Sequence, residues 1–362
     1  MVDIESYLAQ QRRQLQRQQR RIKDFRVFDF NYIPERPLMR PELRRVIDAM
    51  LRYEQTGIPN HVIIFGARGS GKTLSMRHLQ RVLRDSSALQ LLYANCRRHN
   101  TSFKLMAFFL GLPARGISLD ELYRRFTQHW PHRTVIILDE VDFISDKDRT
   151  KDILYFLSRE QNNYMAVLLS SSPRFLSELD ESTRSSLQPE VIHFKSYSAE
   201  QLLRILEQRA QLGLRRYSRR QLQQISALTV RNTNSDVRVA IKTLYYCTVE
   251  PGRGVQYNFE RARRDIFIDL LADLNDKNLL ILKAVQAARD GYVKEVYQHY
   301  RRLSRRYREE PFSYVYFYSS LGYMQSLGLL VLATAKLGRT YTNRAQLTFN
   351  PELLDCMFNR RF

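Results

Sequence analysis

The feature that most constrains this chain is a glycine-rich loop, Gly66-Ala67-Arg68-Gly69-Ser70-Gly71-Lys72-Thr73. It matches the pattern G-x-x-x-x-G-K-[ST] of a P-loop. An apolar run over 61–65 predicts a buried strand before the loop, and apolar spacing over 74–84 predicts a helix after it. This order aims backbone N–H groups and a helix dipole at one point, as a phosphate requires. We therefore predict a nucleotide site in a parallel α/β sheet.

The loop also predicts which residues hold the nucleotide. Glycines permit the unusual dihedral angles and the close approach of phosphate oxygens. We expect Lys72 to meet the β- and γ-phosphates and the Thr73 hydroxyl to bind Mg²⁺. The residues predicted to bind ATP or ADP are Gly66, Ala67, Arg68, Gly69, Ser70, Gly71, Lys72, Thr73 and Leu74.

Two acids follow a second apolar run at 135–138, which predicts another buried parallel strand. Asp139 is expected to hold Mg²⁺ through water, and Glu140 to act as the general base on the attacking water. Alone, such a pair usually marks a solvated strand end. The P-loop changes this interpretation, and the Asp-Glu pair favours hydrolysis in addition to binding.

The composition restricts the partners and the compartment. A formal net charge of +21, from 58 basic and 37 acidic residues, predicts a polyanionic partner, either nucleic acid or an anionic surface. Three widely separated cysteines, Cys96, Cys247 and Cys356, argue against a disulfide scaffold or a zinc site. The sequence has no apolar run of about 20 residues and no leader-like segment. We expect a soluble cytoplasmic protein, associated with the nucleoid and not with a membrane.

Hydrophobic patterning predicts a chain of several parts. Strands near 61–65, 90–95, 134–138, 166–170 and 190–194 alternate with helices, whereas helices alone follow the capping box of Ser198 and Gln201. Four later helices precede two strands near 329–335 and 344–349, an order typical of a winged helix. The predicted parts are a basic N-terminal arm (1–26), an α/β nucleotide-binding domain (27–197), a helical lid (198–252) and a winged-helix DNA-binding domain (256–362).

Short runs along the chain occur in a specific order and spacing. They are Tyr32-Ile33-Pro34-Glu35-Arg36, the P-loop, Ala94-Asn95-Cys96-Arg97, Ser118-Leu119-Asp120-Glu121-Leu122-Tyr123, Leu138-Asp139-Glu140-Val141-Asp142, Ser185-Ser186-Leu187, Asp236-Val237-Arg238-Val239-Ala240 and Leu337-Gly338-Arg339-Thr340. In this order the chain resembles the archaeal initiator family of AAA+ ATPases, relatives of the eukaryotic origin recognition complex and cell-division-cycle loader proteins. The resemblance implies an AAA+ sheet domain, an all-helical lid and a winged helix.

The resemblance also implies roles for single residues. Arg238 matches the sensor-2 arginine that reaches the γ-phosphate from the lid, and Tyr32 and Pro34 match a nucleotide-contacting segment. Ser171 stands where the family usually has a polar sensor-1 residue, often Asn, and a serine has fewer donors. Ser182 stands where the family usually carries an arginine finger, whose loss lowers turnover by orders of magnitude. We therefore predict slow ATP turnover.

The C-terminal part offers a candidate DNA surface. Arginines at helical spacing favour phosphate contacts in so basic a chain, although a solvated face is the common alternative. The candidate recognition helix over 313–323 lacks Lys and Arg, which predicts binding by charge and DNA shape with modest sequence preference. The predicted DNA contacts are Arg301, Arg302, Arg305, Arg306, Ser313, Tyr314, Tyr316, Lys336, Arg339, Tyr341 and Arg344.

Two functions are consistent with these features. The first is an ATP-controlled initiator that recognises double-stranded origin DNA and helps to recruit or load the replicative helicase, with other initiator paralogues as further partners. The alternative is a degenerate paralogue that acts as a DNA-binding regulator or adaptor with little ATPase activity. Ser171, Ser182 and the uncharged recognition helix favour the alternative.

Overall fold

The computed structural model describes residues 3–84, 86–131, 133–145, 148, 150–159, 163–172, 175–337 and 340–362. The chain forms two compact units. We call Ile33–Lys195 the sheet unit, and Met1–Tyr32 together with Ser196–Phe362 the helical unit. The expected arm, lid and winged helix all fall in the helical unit, and the four-part division stays a prediction.

The described residues form helices and strands in an alternating and then mainly helical order. The helices are α1 (Ile4–Gln19), α2 (Pro41–Thr56), α3 (Lys72–Arg84), α4 (Ser102–Phe109), α5 (Leu119–His129), α6 (Asp152–Arg159), α7 (Glu181–Leu187), α8 (Ala199–Gly213), α9 (Arg219–Asn232), α10 (Val237–Val249), α11 (Val255–Ala272), α12 (Asp276–Ala287), α13 (Val293–Arg306), α14 (Tyr314–Ser326) and α15 (Pro351–Arg361). The strands are β1 (Val62–Phe65), β2 (Gln90–Asn95), β3 (Thr134–Asp139), β4 (Tyr164–Ser170), β5 (Glu190–His193), β6 (Leu330–Leu337) and β7 (Thr340–Leu347).

The sheet unit is built on a parallel sheet with the strand order β2-β3-β4-β1-β5. Every residue of β1, β3 and β4 is buried, which explains why these strands are continuous apolar runs. The register pairs Asn95 with Asp139, and Phe65 with Ser170. Parallel pairing thus brings the polar carboxyl ends of β2, β3 and β4 to one edge. The predicted α/β fold is confirmed.

The P-loop joins β1 to α3 at this edge. Gly69 and Gly71 have φ of 75° and 88°, a region that side-chain-bearing residues rarely adopt. A Cβ on Gly66 would lie 2.7 Å from the carbonyl oxygen of Phe194. The glycines are therefore required by the turn and by the closeness of β5, independently of any ligand.

The helical unit has two apolar cores. One includes Leu206, Leu222 and Leu244 of α8, α9 and α10, and the helix α8 begins at the predicted capping box of Ser198. The other gathers α11 to α15 and the antiparallel β6–β7 hairpin. The helices α12 to α14 followed by a hairpin agree with the predicted winged helix, whereas α15 was not predicted. In the described part of the chain, no helix is long and apolar enough to cross a membrane.

Candidate functional site

The carboxylate of Asp139 lies between two hydroxyl groups at the carboxyl edge of the sheet. The Thr73 hydroxyl donates to Asp139 Oδ2 at 2.8 Å, and the Tyr93 hydroxyl donates to the same oxygen at 2.7 Å. Asp139 is 2% exposed. The two residues predicted to bind Mg²⁺ therefore lie in direct contact, and Tyr93 is a neighbour that sequence reasoning missed.

Glu140 follows β3 in a left-handed backbone conformation, with φ of 55°. Such a conformation costs a non-glycine residue about 1 to 3 kcal/mol and is common at functional sites. The Asn95 amide at the end of β2 donates to Glu140 Oε2 at 3.1 Å. Asn95 thus orients the predicted general base. Sequence reasoning missed this residue, although its position at the carboxyl end of a strand could have predicted a role in the site.

Lys72 is buried, and its ammonium group lies against the loop that precedes it. Nζ donates to the carbonyl oxygens of Gly66 and Ala67, the latter at 3.2 Å, and lies 3.4 Å from the Ser171 hydroxyl. Burial lowers the pKa of Lys72 to about 8, against the opposing effect of Asp139 and other nearby carboxylates. The predicted phosphate-binding lysine and sensor-1 serine therefore share one site.

Asp142 connects β3 to the end of β4. Its carboxylate accepts hydrogen bonds from the Ser170 hydroxyl and from the Ser171 backbone N–H, the latter at 2.7 Å. Burial raises the pKa of Asp142 to about 6, although these hydrogen bonds act in the opposite direction. Asp142 fixes the backbone from which the Ser171 hydroxyl projects, a role that sequence reasoning missed.

Arg40 holds the P-loop from outside the sheet. It is 2% exposed, donates to the Ser70 carbonyl at 2.8 Å and to the Lys195 carbonyl at 2.6 Å, and pairs with Glu42 at 3.1 Å. Its guanidinium also lies 5.2 Å from the Phe194 ring centroid. This arginine ties the loop to the chain after β5, and nothing in its local sequence predicted that contact.

The loop and its neighbours suit a phosphate and a magnesium ion. The Ser70 hydroxyl is buried and has no hydrogen-bond partner among the described residues. The positive φ angles of Gly69 and Gly71 give the nest-like backbone that binds anions. Mg²⁺ typically takes only one or two protein carboxylates beside phosphate and water. The Asp139 carboxylate meets this requirement, and the Thr73 hydroxyl beside it offers a further oxygen. No larger acid, His or Cys cluster occurs in the described ranges.

Two predicted nucleotide contacts lie in the helical unit. Arg238 pairs with Asp236, its Nε 2.9 Å from Oδ1. Burial opposes its charge, but Asp236 and Asp269 raise its pKa above the ordinary range. Tyr32 is half-buried, and Arg209 donates to its carbonyl at 3.1 Å with the guanidinium 5.3 Å from the ring centroid. Both side chains are thus held by partners within their own unit.

The remaining predicted residues of the ATPase part are spread over the sheet unit. Pro34 is buried, and Arg68 and Leu74 are half-buried beside the loop. Ser182 and the neighbouring Arg184 are exposed on α7. The roles of these residues stay predictions.

The predicted DNA contacts of α13 form an exposed basic face. Arg301, Arg302, Arg305 and Arg306 are exposed, and none pairs with a carboxylate among the described residues. On α14, Tyr314 and Tyr316 are 41% and 60% exposed, while Phe317 is fully buried in the core. Ser313 is the N-cap, and its hydroxyl accepts from the Tyr316 N–H. Tyr314 and Tyr316 are thus accessible from outside the core, and their contacts with DNA stay predictions.

The predicted wing contacts have different surroundings. Arg344 is exposed, but its Nε donates to the Asp290 carbonyl at 2.6 Å and its guanidinium lies 5.3 Å from the Tyr292 ring centroid. This arginine therefore also anchors the hairpin to the segment before α13. Arg339 lies outside the described residues, as do the side chains of Lys336 and Tyr341.

Comparison with known proteins agrees with this architecture. The AAA domain family matches residues 58–179. An ORC1-type DNA replication protein of Desulfurococcus amylolyticus is 27% identical over 345 residues, which cover 85% of this chain and 86% of that protein. Among solved structures, the Aeropyrum pernix ORC1 protein in complex with DNA has a TM-score of 0.67 at 23% identity, covering 94% of this chain and 97% of that one.

A second solved structure is the Aeropyrum pernix ORC2 protein in ADPNP-ADP complexes. Its TM-score is 0.59 at 22% identity, and the match covers 94% of this chain and 99% of that one. At such identities the solved structures establish the shared fold, while the curated relative extends the sequence similarity along most of the chain. The chain is thus similar to ORC1-type DNA replication proteins along most of its length, and residues 58–179 match the AAA domain family.

Proposed function

We propose that the chain is an ATP-controlled DNA-binding replication initiator that hydrolyses ATP slowly. The observation that carries this proposal is the contact of Thr73 with Asp139, beside a buried Lys72, at one edge of a P-loop sheet. The similarity to ORC1-type DNA replication proteins supports a replication role. The relative whose structure was solved in ADPNP-ADP complexes has the same fold, which supports ATP and ADP as the ligands.

In this proposal each residue of the sheet edge has its own role in ATP binding or hydrolysis. Bound Mg²⁺ would neutralise charge on the phosphates. Lys72 contributes a cation to the phosphate oxygens, and Thr73 and Asp139 supply oxygen ligands. Glu140 takes a proton from the attacking water, with Asn95 holding its carboxylate in place. Ser171 has a single short hydroxyl for the sensor role, which limits the turnover.

The second half of the proposal concerns the helical unit. Arg238 exchanges the carboxylate of Asp236 for the γ-phosphate, which makes the helical unit sensitive to the nucleotide state. The exposed arginines of α13 bind DNA phosphates, and α14 and the wing contribute further contacts. The ORC1 protein of the same fold that was solved in complex with DNA supports DNA as the partner. We further propose origin DNA as the target and the replicative helicase and initiator paralogues as partners.

Footprinting of origin and random duplexes at one fixed salt concentration tests the DNA half of the proposal. The full chain is compared in ATP, in ADP and without nucleotide. We expect protection of origin DNA at lower protein concentration than random DNA, with a further difference between ATP and ADP. Equal protection of both duplexes would remove origin recognition, and equal protection in every nucleotide state would remove the ATP control.

A second candidate function is a DNA-binding regulator with little ATPase activity. The serines at positions 171 and 182 and the lack of a basic residue on α14 favour it. Single-turnover measurement of ATP hydrolysis on saturating duplex separates the two candidates. Turnover that stays at the uncatalysed rate with ATP bound supports the regulator, and measurable turnover that Glu140→Gln abolishes supports the initiator.

A further inference from the structure

A second arginine-rich run lies outside the residues of the predicted winged helix. Residues 214–220 read Leu-Arg-Arg-Tyr-Ser-Arg-Arg and connect α8 to α9, with no acid in the run. Arg215, Arg216 and Arg220 are exposed and none of them pairs with a carboxylate in the described part of the chain. Arg219, the fourth, pairs with Glu207 at 2.9 Å. The turn therefore presents three free cations.

The backbone places a second basic segment beside this turn. Ile22 and Leu214 form an antiparallel bridge, Lys23 N–H donates to the Gly213 carbonyl at 2.7 Å, and Arg215 N–H donates to the Arg21 carbonyl at 3.0 Å. A Cβ on Gly213 would clash with Val27 Cγ2, so the close approach of the residues after Lys23 to the end of α8 requires glycine. The two basic segments are thus joined by the fold itself.

The bridge also decides which side chains face outward. Ile22 and Leu214 are buried in the same apolar core, at 4% and 3% exposure. Because side chains alternate along an extended chain, the neighbours of these two residues point away from the core. Arg20, Arg21, Lys23, Arg215, Arg216 and Arg220 are all exposed, and we call them the bridge cluster.

The six exposed cations of these two joined segments repel one another, and the described contacts offset little of that repulsion. Arg21 donates to the Thr248 carbonyl at 3.4 Å, and the nearest acid along the segment, Asp24, is already paired with Arg26. An anionic partner would offset the repulsion. Guanidinium groups fit phosphate oxygens in a bidentate manner, and Tyr217, 40% exposed between the arginine pairs, adds an aromatic surface.

We propose that the bridge cluster binds the phosphate backbone of double-stranded DNA as a contact additional to the winged helix. The cores of protein interfaces are depleted in charge, so six exposed cations with few neutralising acids favour nucleic acid over a protein partner. This inference rests on the proposed DNA binding of the chain. It adds a region, the α8–α9 turn with the end of the N-terminal arm, that carries neither the hairpin nor the recognition helix.

The test compares two triple variants of the full chain that lose the same charge. One is Arg215→Ala/Arg216→Ala/Arg220→Ala, and the control is Arg44→Ala/Arg81→Ala/Arg84→Ala, three exposed arginines of the sheet unit. Fluorescence anisotropy gives the Kd for a labelled duplex over a series of salt concentrations. We expect the cluster variant to lower the slope of log K against log salt by roughly 0.9 per lost phosphate contact, so by roughly 2 to 3.

The control variant is expected to change that slope by less than one contact. Equal slopes for the two triple variants would overturn the bridge cluster, and so would an altered oligomeric state with an unchanged slope. A double variant of α13, Arg301→Ala/Arg305→Ala, separates this failure from that of the proposed function. If the α13 double variant weakens duplex binding while the two triple variants behave alike, the proposed DNA binding is retained and the role of the bridge cluster is rejected. Absence of duplex binding by the unmodified chain would overturn both.

Discussion

The edge of the sheet and the basic face of α13 are both built from charged residues, but they differ in how those charges are held. At the sheet edge, Asp139, Asp142 and Lys72 are buried or hydrogen-bonded to fixed partners. On α13, Arg301 and Arg305 are exposed without carboxylate partners in the described ranges. We therefore expect the function of the sheet edge to depend on the exact positions of its groups. We expect DNA binding by α13 to depend on the number of its positive charges.

This difference predicts how each region tolerates change. A buried polar group that loses its partner keeps its desolvation cost, so single substitutions at the sheet edge are expensive. Exposed cations are solvated and screened by salt, so each contributes a small and nearly interchangeable part. The predictions below use this contrast, beginning with the largest expected effect.

Removing the predicted general base gives the largest effect. Glu140→Gln keeps the size of the side chain and an oxygen that accepts from Asn95, but it cannot take a proton. We expect ATP turnover to fall by roughly 10²- to 10⁴-fold, about 3 to 5 kcal/mol in the barrier, with ATP binding retained. Single-turnover hydrolysis and equilibrium nucleotide binding measure the two effects.

The control for this substitution is Glu181→Gln, an exposed glutamate of α7. It is expected to leave both binding and turnover unchanged. Turnover that survives Glu140→Gln would show that another group activates the water.

Arg40 tests the geometry of the sheet edge. Arg40→Met keeps an unbranched side chain but leaves the Ser70 and Lys195 carbonyls without this donor, and Glu42 without its cation. Breaking a buried pair in this way is expected to lower the free energy of unfolding by about 3 to 5 kcal/mol. Trp130, the only tryptophan, lies in the sheet unit and reports its unfolding in denaturant by fluorescence.

Arg44→Met on the same helix is the matched control, because Arg44 is exposed. Its effect is expected within about 0.5 kcal/mol. Arg40→Lys retains the charge but not the planar fork, and we expect it to recover only part of the loss. A full recovery by lysine would mean that charge, not geometry, holds the loop.

The contrast between regular elements and single contacts also explains what the sequence could predict. The strands of the sheet follow from apolar runs, and their bounds were predicted within a few residues. The succession of helices from α8 to α14 follows from periodic apolar residues. The helix α15 was missed, although Asn350 as N-cap and Pro351 at the first position signal a helix start. Local patterns therefore carry most of the fold.

Some residues of the candidate site could also be predicted from local sequence, and others could not. Lys72, Thr73 and Asp139 were predicted because a short motif and a strand end mark them. Arg40 and Asp142 were not, since their partners lie 30 and 28 residues or more along the chain and meet only through the sheet. Long-range contacts of this kind have no local signature in a single sequence.

A buried histidine makes the sheet unit sensitive to acid. His61 is 6% exposed, and its Nδ1 accepts from the Ala166 N–H at 3.0 Å. Burial lowers its pKa to about 4 from 6.5. The unfolded chain therefore binds a proton in this interval that the folded chain does not. The stability due to neutral His61 is complete above pH 6.5 and falls by up to roughly 3 kcal/mol as the pH approaches 4.

Asp142 acts in the opposite direction. Burial raises its pKa to about 6, so the folded state holds a proton between pH 6 and 3.8 that the unfolded state does not, and stability rises as the pH falls. His61→Asn keeps an acceptor without a titrating group. We expect this variant to lose less stability than the unmodified chain between pH 6.5 and 4.5, measured by denaturation followed at Trp130. The exposed His193, changed to Asn, is the control.

The smallest effect per residue is expected on α13, where charge alone should matter. Arg301→Ala/Arg305→Ala is expected to lower the salt slope of duplex binding by roughly 1.8, because each lost phosphate contact contributes roughly 0.9. Arg124→Ala/Arg125→Ala removes the same charge from arginines already paired with Glu121, and its slope should stay near the unmodified value. Arg301→Lys/Arg305→Lys should retain the slope, in contrast to Arg40→Lys. A lysine pair as weak as the alanine pair would mean that α13 also binds DNA through the guanidinium geometry.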